Sequence, residues 1–251
     1  MKESNEWNAT NYNNHADFVS KLAMPVVELL DPKDGEYILD VGCGEGSLAV
    51  EIEKFGANVL AIDLSEDMVE KTKQKGIEAY VMSATDIEYA DKFDAIFSNA
   101  TLHWVLDPKL ALEQFYKALK DDGRVVAEFG GEGNIKALIS AIKRVFDNHS
   151  EFGEFNNPWY FPSIKTYKKM VEEVGFKVVS MESIKRDTKI DDISNWLDIF
   201  ANGIIKDLNK RAQDVFKKEV RDILKPILYT DEKGWVVDYV RLRFKAVKLD
   251  K

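Results

Sequence analysis

The sequence predicts an α/β fold built on a doubly wound, mostly parallel sheet. Three observations predict it. An apolar run, Tyr37–Val41, leads directly into a turn that contains Gly42, Gly44 and Gly46. After this turn, short β-rich apolar runs alternate with amphipathic helical patterns. The connections between them are short, as parallel strands joined by crossover helices require.

The glycine turn is the first segment of the chain that indicates ligand binding. Glycines here let a ligand approach the backbone, because a Cβ would block it. The start of the following helix adds unpaired N–H groups that can bind a polar or anionic ligand group. The spacing differs from the dinucleotide pattern G-x-G-x-x-G, since Ser47 takes the place of the last glycine. The helix is predicted to bury one face that contains Leu48, Ala49, Ile52 and Phe55.

The second strand, residues 58–62, ends at Asp63. A carboxylate at this strand tip, about 20 residues beyond the glycines, is placed to accept hydrogen bonds from ribose hydroxyls. Asp63 therefore indicates a ligand of the adenosine type. The next helix has Ser65 as its N-cap and Gly76 at its end. On its first turn, Met68 either covers an adenine face or belongs to the core.

Three further strands complete the first half of the sheet. Asn99 lies at the carboxyl end of the fourth strand, where α/β sheets bind their ligands. Asp107 and Pro108 begin the next helix as N-cap and N1, and residues 121–123 are predicted to end it. The third, fourth and fifth strands are predicted at residues 78–82, 93–98 and 124–129.

The run Asp40-Val41-Gly42-Cys43-Gly44-Glu45-Gly46 resembles the first motif of class I S-adenosylmethionine (SAM) dependent methyltransferases. The resemblance covers about residues 5–130. It implies a Rossmann-like, seven-stranded sheet whose last strand runs antiparallel beside strand five. It also implies SAM as the methyl donor and S-adenosylhomocysteine (SAH) as the product. Residues 7–12 and 99–104 are similar to segments of the trans-aconitate methyltransferase group, in which Gln is common at the position of His103.

This resemblance also implies roles for single residues. Asp86 would accept the adenine amino group and the N–H of Ile87 would reach a ring nitrogen, whereas a surface turn is the alternative for Asp86. The N-terminal Trp7 and Tyr12 would form a lid over the methionine end of SAM. The cofactor-binding residues are expected to be Tyr12, Asp40, Gly42, Cys43, Gly44, Gly46, Asp63, Leu64, Met68, Thr85, Asp86, Ile87 and Asn99.

Residues 130–234 are expected to select the methyl acceptor. The loop at residues 151–163 contains five aromatic residues and two prolines. It could be a hydrophobic lid or an anchor for a long connection. His103 is the candidate general base, ahead of His15 and His149, because a free imidazole titrates near neutrality. The residues expected to contact the acceptor are Trp7, His103, Trp104, Asn134, Trp159 and Tyr160.

The rest of the chain is predicted to contain further helices, a sixth strand at residues 176–181 and a last strand at residues 235–247. The helices are predicted near residues 135–148, 164–174, 190–205 and 206–224. One methyltransferase domain would span residues 1–251. Its parts would be an N-terminal helical lid (1–30), a SAM-binding core (31–130), an insertion (131–234) and the last strand.

Composition limits the function classes. The chain has 251 residues, a net charge of −9 and one cysteine, Cys43, so it forms no internal disulfide and lacks the basic stripe of a nucleic-acid binder. It has no apolar signal region, no 18-residue apolar run and no metal-ligand spacing. We therefore expect a cytoplasmic protein without a metal, a membrane span or a nucleic-acid partner. The oligomeric state is not predicted.

These observations favour a SAM-dependent methyltransferase that acts on a small molecule, with a carboxylate among the candidate acceptors. A carboxylate needs no base, whereas a hydroxyl, an amine or a carbon acid does. Three alternatives stay open: a SAM-binding protein without catalysis, a nicotinamide-dependent oxidoreductase, and a methyltransferase for proteins or nucleic acids. The basic residues available for an anionic acceptor are Arg144, Lys165, Arg186, Arg241 and Arg243.

Overall fold

The computed structural model describes residues 16–249, with side chains described from residue 23 onward. Within this part of the chain, the strands are β1 (Tyr37–Val41), β2 (Asn58–Asp63), β3 (Glu78–Val81), β4 (Phe93–Asn99), β5 (Leu119–Gly130), β6 (Phe176–Lys185), β7 (Thr188–Ile190), β8 (Tyr229–Thr230), β9 (Gly234–Val237) and β10 (Val240–Lys248). The α-helices are α1 (Ala16–Leu30), α2 (Ser47–Glu53), α3 (Glu66–Gln74), α4 (Pro108–Ala118), α5 (Lys136–Asn148), α6 (Ile164–Val174), α7 (Ile193–Phe200), α8 (Asn202–Ile205) and α9 (Lys210–Leu228).

The described chain divides into two compact units. The sheet unit comprises residues 16–132, Trp159–Ile184 and 241–249. The helical unit comprises Gly133–Pro158 and Lys185–Val240. The expectation that residues 1–251 form one methyltransferase domain stays a prediction. No helix in residues 16–249 combines the length and the apolar character needed to cross a membrane.

The sheet unit confirms the predicted fold class. Its strands follow the order β3-β2-β1-β4-β5-β10-β6. The neighbouring strands from β3 to β5 are parallel, whereas β10 runs antiparallel to β5, with Arg241 opposite Gly130. One face of the sheet packs against α4 and α6, and the other packs against α1, α2 and α3. Both faces are therefore covered, as a parallel sheet requires.

The helical unit contains α5, α7, α8 and α9 and a small antiparallel sheet of order β7-β9-β8. Phe146 on α5 and Phe216 on α9 are in edge-to-face contact, with 5.7 Å between their ring centroids. The small sheet was not expected from the sequence. Its strands are two to four residues long, which is too short for a clear alternating pattern.

The prediction of one last strand over residues 235–247 was wrong. Its first part is β9, in the small sheet, and its second part is β10, in the large sheet. Between them, Asp238 accepts the backbone N–H of Ile135 with its carbonyl oxygen and that of Ala137 with its carboxylate. These bonds cap the start of α5, so the backbone leaves the extended conformation there.

Several predicted helix ends were also wrong. Phe55 lies beyond α2 and is exposed, so it is not part of the buried face. Residues 121–123 do not end α4, because β5 already begins at Leu119 and bulges before Arg124 pairs with Ala95. The helix predicted at residues 190–205 is two helices, α7 and α8. The next helix, α9, begins late because Asn209 caps it by accepting the N–H of Ala212.

Candidate functional site

The glycine turn after β1 leaves one position open to a ligand. Gly42, Gly44 and Gly46 all have positive φ values, between 55° and 80°. A Cβ on Gly42 would lie 2.2 Å from the side chain of Thr101, and one on Gly46 would lie 2.8 Å from that of Thr72. A Cβ on Gly44 would meet nothing within 4 Å. Gly42 and Gly46 thus serve close packing, and the backbone at Gly44 is accessible.

Asp63 at the end of β2 is joined to this turn. Its Oδ2 accepts the backbone N–H of Gly44 at 3.0 Å, and its Oδ1 accepts that of Ser65 at 2.9 Å. Burial raises the pKa of its carboxyl, and these two backbone hydrogen bonds oppose the rise. A carboxylate has about four acceptor positions, so Asp63 keeps capacity for ligand hydroxyls. The predicted ribose contact stays a prediction.

Asp40 in β1 is a buried carboxyl beside the same turn. It is 1% exposed, and its Oδ2 has no hydrogen-bond partner among the described residues. Burial, with the charge of Asp63, raises its pKa to about 7. A buried acceptor without a donor is costly, so this oxygen suits a ligand donor such as an ammonium group. The methionine end of SAM has this group, and the open turn at Gly44 also fits it.

The other expected cofactor residues surround this edge of the sheet. Leu64 is exposed and Met68 is buried on α3, where Ser65 caps the helix by accepting the N–H of Met68. In the turn after β3, Thr85 bonds Ser83 at 2.8 Å, and Asp86 is exposed beside the buried Ile87. Asn99 ends β4. The adenine and ribose roles given to these residues stay predictions.

Cys43 is part of the glycine turn, and its thiol is partly buried. Its backbone N–H donates to the carbonyl oxygen of Ile62 at 3.1 Å, and its thiol lies 3.6 Å from the hydroxyl of Thr72. Burial raises the pKa of the thiol well above its ordinary value, which disfavours the reactive thiolate.

His103 lies in a short 3-10 helix, Leu102–Trp104, that follows β4. It is buried, and its Nδ1 accepts the backbone N–H of Gly130 at 3.3 Å. Burial, with the nearby charge of Arg241, lowers its pKa to about 3. The ring is therefore neutral, with its hydrogen on Nε2. This geometry argues against the general-base role expected for His103, because one nitrogen is occupied and the other is a donor.

Aromatic rings surround His103. Its ring lies 5.4 Å from that of Trp104 and 5.8 Å from that of Phe161, and Trp159 lies 5.7 Å from Trp104. The backbone N–H of Tyr160 donates to the carbonyl oxygen of His103 at 2.8 Å. These contacts place Trp104, Trp159 and Tyr160 beside the end of β4. Their role in binding the acceptor stays a prediction.

The five aromatic residues of the predicted loop belong to two different units. Phe152 and Phe155 pack on Phe146 within the helical unit, with ring centroids 6.0 and 5.7 Å away. Trp159, Tyr160 and Phe161 belong to the sheet unit. The structure therefore favours the anchoring interpretation for the first two residues.

Other expected residues have different positions. Asn134 is buried, and its Oδ1 accepts the backbone N–H of Val240 at 2.9 Å, a structural bond within the helical unit. His149 bonds Glu151 and Glu219 in the same unit. Trp7, Tyr12 and His15 lie outside the described residues. Among residues 16–249, no group of three His, Cys, Asp or Glu side chains could hold a metal ion.

Sequence reasoning missed two threonines and did not place one arginine. Thr72 and Thr101 bond the carbonyl oxygens of Gly44 and Gly42 at 2.9 and 3.1 Å. Thr72 could have been found, since it is a polar residue in the apolar stripe of α3. Of the basic candidates, Arg144 and Lys165 are exposed on helices and Arg243 pairs with Glu128 at 2.7 Å. Strand pairing sets Arg241 opposite Gly130, and its charge contributes to the lowered pKa of His103.

Comparisons with known proteins identify the family of this chain. Residues 39–127 match the family model described as "Methyltransferase domain". An uncharacterized methyltransferase of Schizosaccharomyces pombe is 33% identical over 96% of this chain and 98% of its own length. A trans-aconitate 2-methyltransferase of Mycolicibacterium gilvum is 35% identical, over 39% of this chain and 40% of its own length.

A solved structure has the same fold. It is phosphoethanolamine N-methyltransferase 2 of Haemonchus contortus in complex with phosphomonomethylethanolamine and SAH. Its TM-score is 0.58 and its sequence identity is 18%. The match covers 92% of this chain and 53% of the other. At this identity the likeness concerns the fold alone.

Proposed function

The chain belongs to the methyltransferase family, and we propose that it transfers the methyl group of SAM to a small-molecule carboxylate. The cradle formed by the glycine turn, Asp40 and Asp63 supports SAM as the donor. Its backbone at Gly44 is open, and the buried Oδ2 of Asp40 has no partner among the described residues. Bound SAM supplies a sulfonium methyl group that is already activated for transfer.

The proposal of a carboxylate acceptor rests on the hydrogen bonding and the lowered pKa of His103. A hydroxyl or a protonated amine must lose a proton before or during methyl transfer, so its enzyme needs a base. His103 was the best base candidate, but its Nδ1 already accepts the N–H of Gly130 and its pKa is lowered to about 3, so the ring is a poor proton acceptor near neutral pH. A carboxylate is already ionised at neutral pH and needs no base.

The chemical step then makes small demands on the protein. A carboxylate oxygen of the acceptor forms the new O–C bond while the C–S bond breaks, and the electron pair of that bond goes to sulfur. No proton is transferred. The residues around His103 have to orient the acceptor in line behind the methyl group and exclude water. The buried ring of Trp159 and the half-buried rings of Trp104 and Phe161 suit the second task.

The names of similar proteins leave two kinds of acceptor to compare. Trans-aconitate is a carboxylate, which agrees with the proposal. Phosphoethanolamine, which names a Triticum aestivum N-methyltransferase 32% identical over 62% of this chain, is an amine, and N-methylation is the second candidate function. Membership of the trans-aconitate group itself stays a prediction, because that relative matches only 39% of this chain. A SAM-binding protein without catalysis is a third outcome of the test.

The test is methylation of a cell metabolite extract with SAM labelled in its methyl group. Products are compared by mass spectrometry before and after treatment with mild alkali. A methyl ester releases its label as methanol under these conditions, whereas an N-methyl group keeps it. We expect alkali-labile products with the wild-type protein and less of them with Asp63→Ala when SAM is not saturating. Alkali-stable products would establish the amine acceptor instead, and SAM binding without any product would indicate a non-catalytic protein.

A further inference from the structure

The side chain of Thr101 connects the glycine turn to the acceptor segment (residues 100–104), which follows β4. Its hydroxyl donates to the carbonyl oxygens of Gly42 and Asn99, at 3.1 and 3.2 Å. The side chain also packs on Gly42, because a Cβ at that glycine would lie 2.2 Å from it. The carbonyl oxygen of Thr101 accepts the N–H of Trp104 at 2.9 Å, in the 3-10 helix that contains His103. Thr101 therefore bonds the turn with its side chain and the 3-10 helix with its backbone.

The acceptor segment begins with a strained residue. Ala100 has a φ of 57°, in the left-handed region that residues with a side chain rarely adopt. Such a conformation costs about 1–3 kcal/mol and persists only where neighbouring contacts hold it. The N–H of Ala100 donates to the carbonyl oxygen of Glu128 at 2.7 Å, and the next residue is bonded to Gly42 by the hydroxyl of Thr101. If this hydroxyl is removed, the segment can relax toward an unstrained conformation.

The glycine turn depends less on Thr101, because other hydrogen bonds hold it. The N–H of Gly42 donates to the carbonyl oxygen of Ile62 at 2.8 Å, and the N–H of Gly44 donates to Asp63 at 3.0 Å. These bonds do not involve the acceptor segment. Loss of the Thr101 hydroxyl thus leaves the ligand-accessible part of the turn bonded, whereas the strained segment loses its bond to the turn. The consequence should therefore concern the methyl acceptor more than the donor.

We propose that Thr101 is a positioning residue, whose hydroxyl bond to Gly42 holds His103 and Trp104 where they orient the acceptor toward the methyl group of SAM. This inference rests on the proposed function, in which the residues around His103 orient the acceptor, and it applies equally to a carboxylate and an amine. The attacking atom has to lie about 3–3.5 Å from the methyl carbon, in line with the C–S bond, and a displacement of about 1 Å can slow transfer about 100-fold. Thr101 acts through the backbone of its neighbours, so it affects the transfer rate more than the affinity for SAM.

The experiment measures donor binding and methyl transfer separately in Thr101→Val, which keeps the shape of threonine without its hydroxyl. Calorimetry with SAH gives the donor affinity. The initial rate at which labelled methyl from saturating SAM enters a cell metabolite extract gives the rate of transfer. We expect this rate to fall about tenfold while SAH affinity stays within about twofold. Retained SAH affinity also shows that the variant is folded. Thr101→Ser keeps the hydroxyl and should retain most of the wild-type rate.

A second substitution separates positioning from a loss of packing. Glycine adopts a positive φ without strain, so Ala100→Gly should recover part of the transfer rate in the Thr101→Val background. Thr166→Val, the same change at an exposed position of α6, should match wild type in both measurements. If Thr101→Val transfers methyl like wild type, loses rate and SAH affinity to the same extent, or is not improved by Ala100→Gly, the inference is wrong. If wild type fails to bind SAH, the proposed function is wrong as well.

Discussion

The hydroxyl of Thr72 on α3 donates a hydrogen bond of 2.9 Å to the carbonyl oxygen of Gly44. Thr72 is fully buried, and its side chain also fills the space in front of Gly46. On the same helix end, Lys75 donates to the hydroxyl of Ser47 at 2.8 Å. The helix after β2 therefore holds the turn that follows β1. The shape of the glycine turn depends on a residue 28 positions away in the chain.

We expect Thr72→Val to weaken SAM and SAH binding about fivefold. The two side chains have the same shape, so the change removes the bond to Gly44 with little repacking, and one such bond contributes about 1 kcal/mol. Calorimetry checks this value. Thr72→Ser keeps the hydroxyl and should bind close to wild type, and Thr166→Val, at an exposed position of α6, is the matched control. Equal affinity of Thr72→Val and wild type would show that the turn holds its shape without this bond.

Asp63→Ala is expected to weaken SAM and SAH binding on the order of tenfold or more. The change removes the proposed acceptor of the ribose hydroxyls and also the acceptor for the N–H of Gly44. Isothermal titration calorimetry with SAM and with SAH gives the two affinities. Asp67→Ala is a suitable control, because Asp67 is an exposed carboxylate on the neighbouring helix. Unchanged tight binding by Asp63→Ala would reject the ribose assignment.

Asp40 should make the stability of the ligand-free protein depend on pH. Its folded pKa of about 7 lies above the ordinary value for an aspartate, so the folded state binds the proton more tightly than the unfolded state. This contribution is fully present below about pH 4 and is lost as the pH rises through about 7. Asp40→Asn cannot ionise, so we expect it to gain thermal stability relative to wild type as the pH rises from 5 to about 8.

Thermal unfolding of the two proteins across this pH range, without ligand, measures the effect. A difference that does not change with pH would mean that Asp40 has an ordinary pKa. In the same samples, Asp40→Asn should bind SAM more weakly at about pH 8, because an amide lacks the charge that the ammonium group would meet. Equal SAM affinity would contradict the role that we assign to the Oδ2 of Asp40.

His149 should stabilise the helical unit at low pH. Its Nδ1 lies 2.9 Å from Glu151 and its Nε2 lies 3.0 Å from Glu219, and hydrogen bonds to both carboxylates raise its pKa. The folded state thus favours the protonated ring. The contribution is present below the ordinary histidine value of about 6.5 and is lost as the pH rises through the raised pKa.

We expect the melting temperature of wild type to exceed that of His149→Gln at about pH 5.5 and the difference to shrink above about pH 8. Glu219→Gln leaves one carboxylate partner, so the pH at which the difference disappears should be lower in that background. His149 also stacks on Phe152, with 4.6 Å between ring centroids. The variant His149→Gln loses this packing at every pH. A constant difference between the proteins would therefore show that packing alone is involved.

The alternation of strands and helices was predictable, because each element of the sheet unit has a local pattern. The run before Gly42, the Ser65 cap and the Asp107-Pro108 start all coincide with element boundaries in the structure. The predicted element boundaries were wrong where a residue distant in the sequence determines the backbone conformation. Asp238 breaks the last strand because it caps α5, about 100 residues earlier in the chain.

The sequence by itself determined the fold class and the methyltransferase family. It also predicted where the donor binds, since the glycine turn and Asp63 lie within one short stretch of chain. The tertiary structure decided the chemistry proposed for the acceptor. From the sequence alone, His103 was a candidate general base. In the structure, burial and the hydrogen bond from the N–H of Gly130, 27 residues away, leave its ring neutral, with Nε2–H as a donor. Strand pairing placed Arg241, one of several basic candidates, opposite Gly130. Protonation state and charge placement depend on contacts between distant residues, which no local pattern contains.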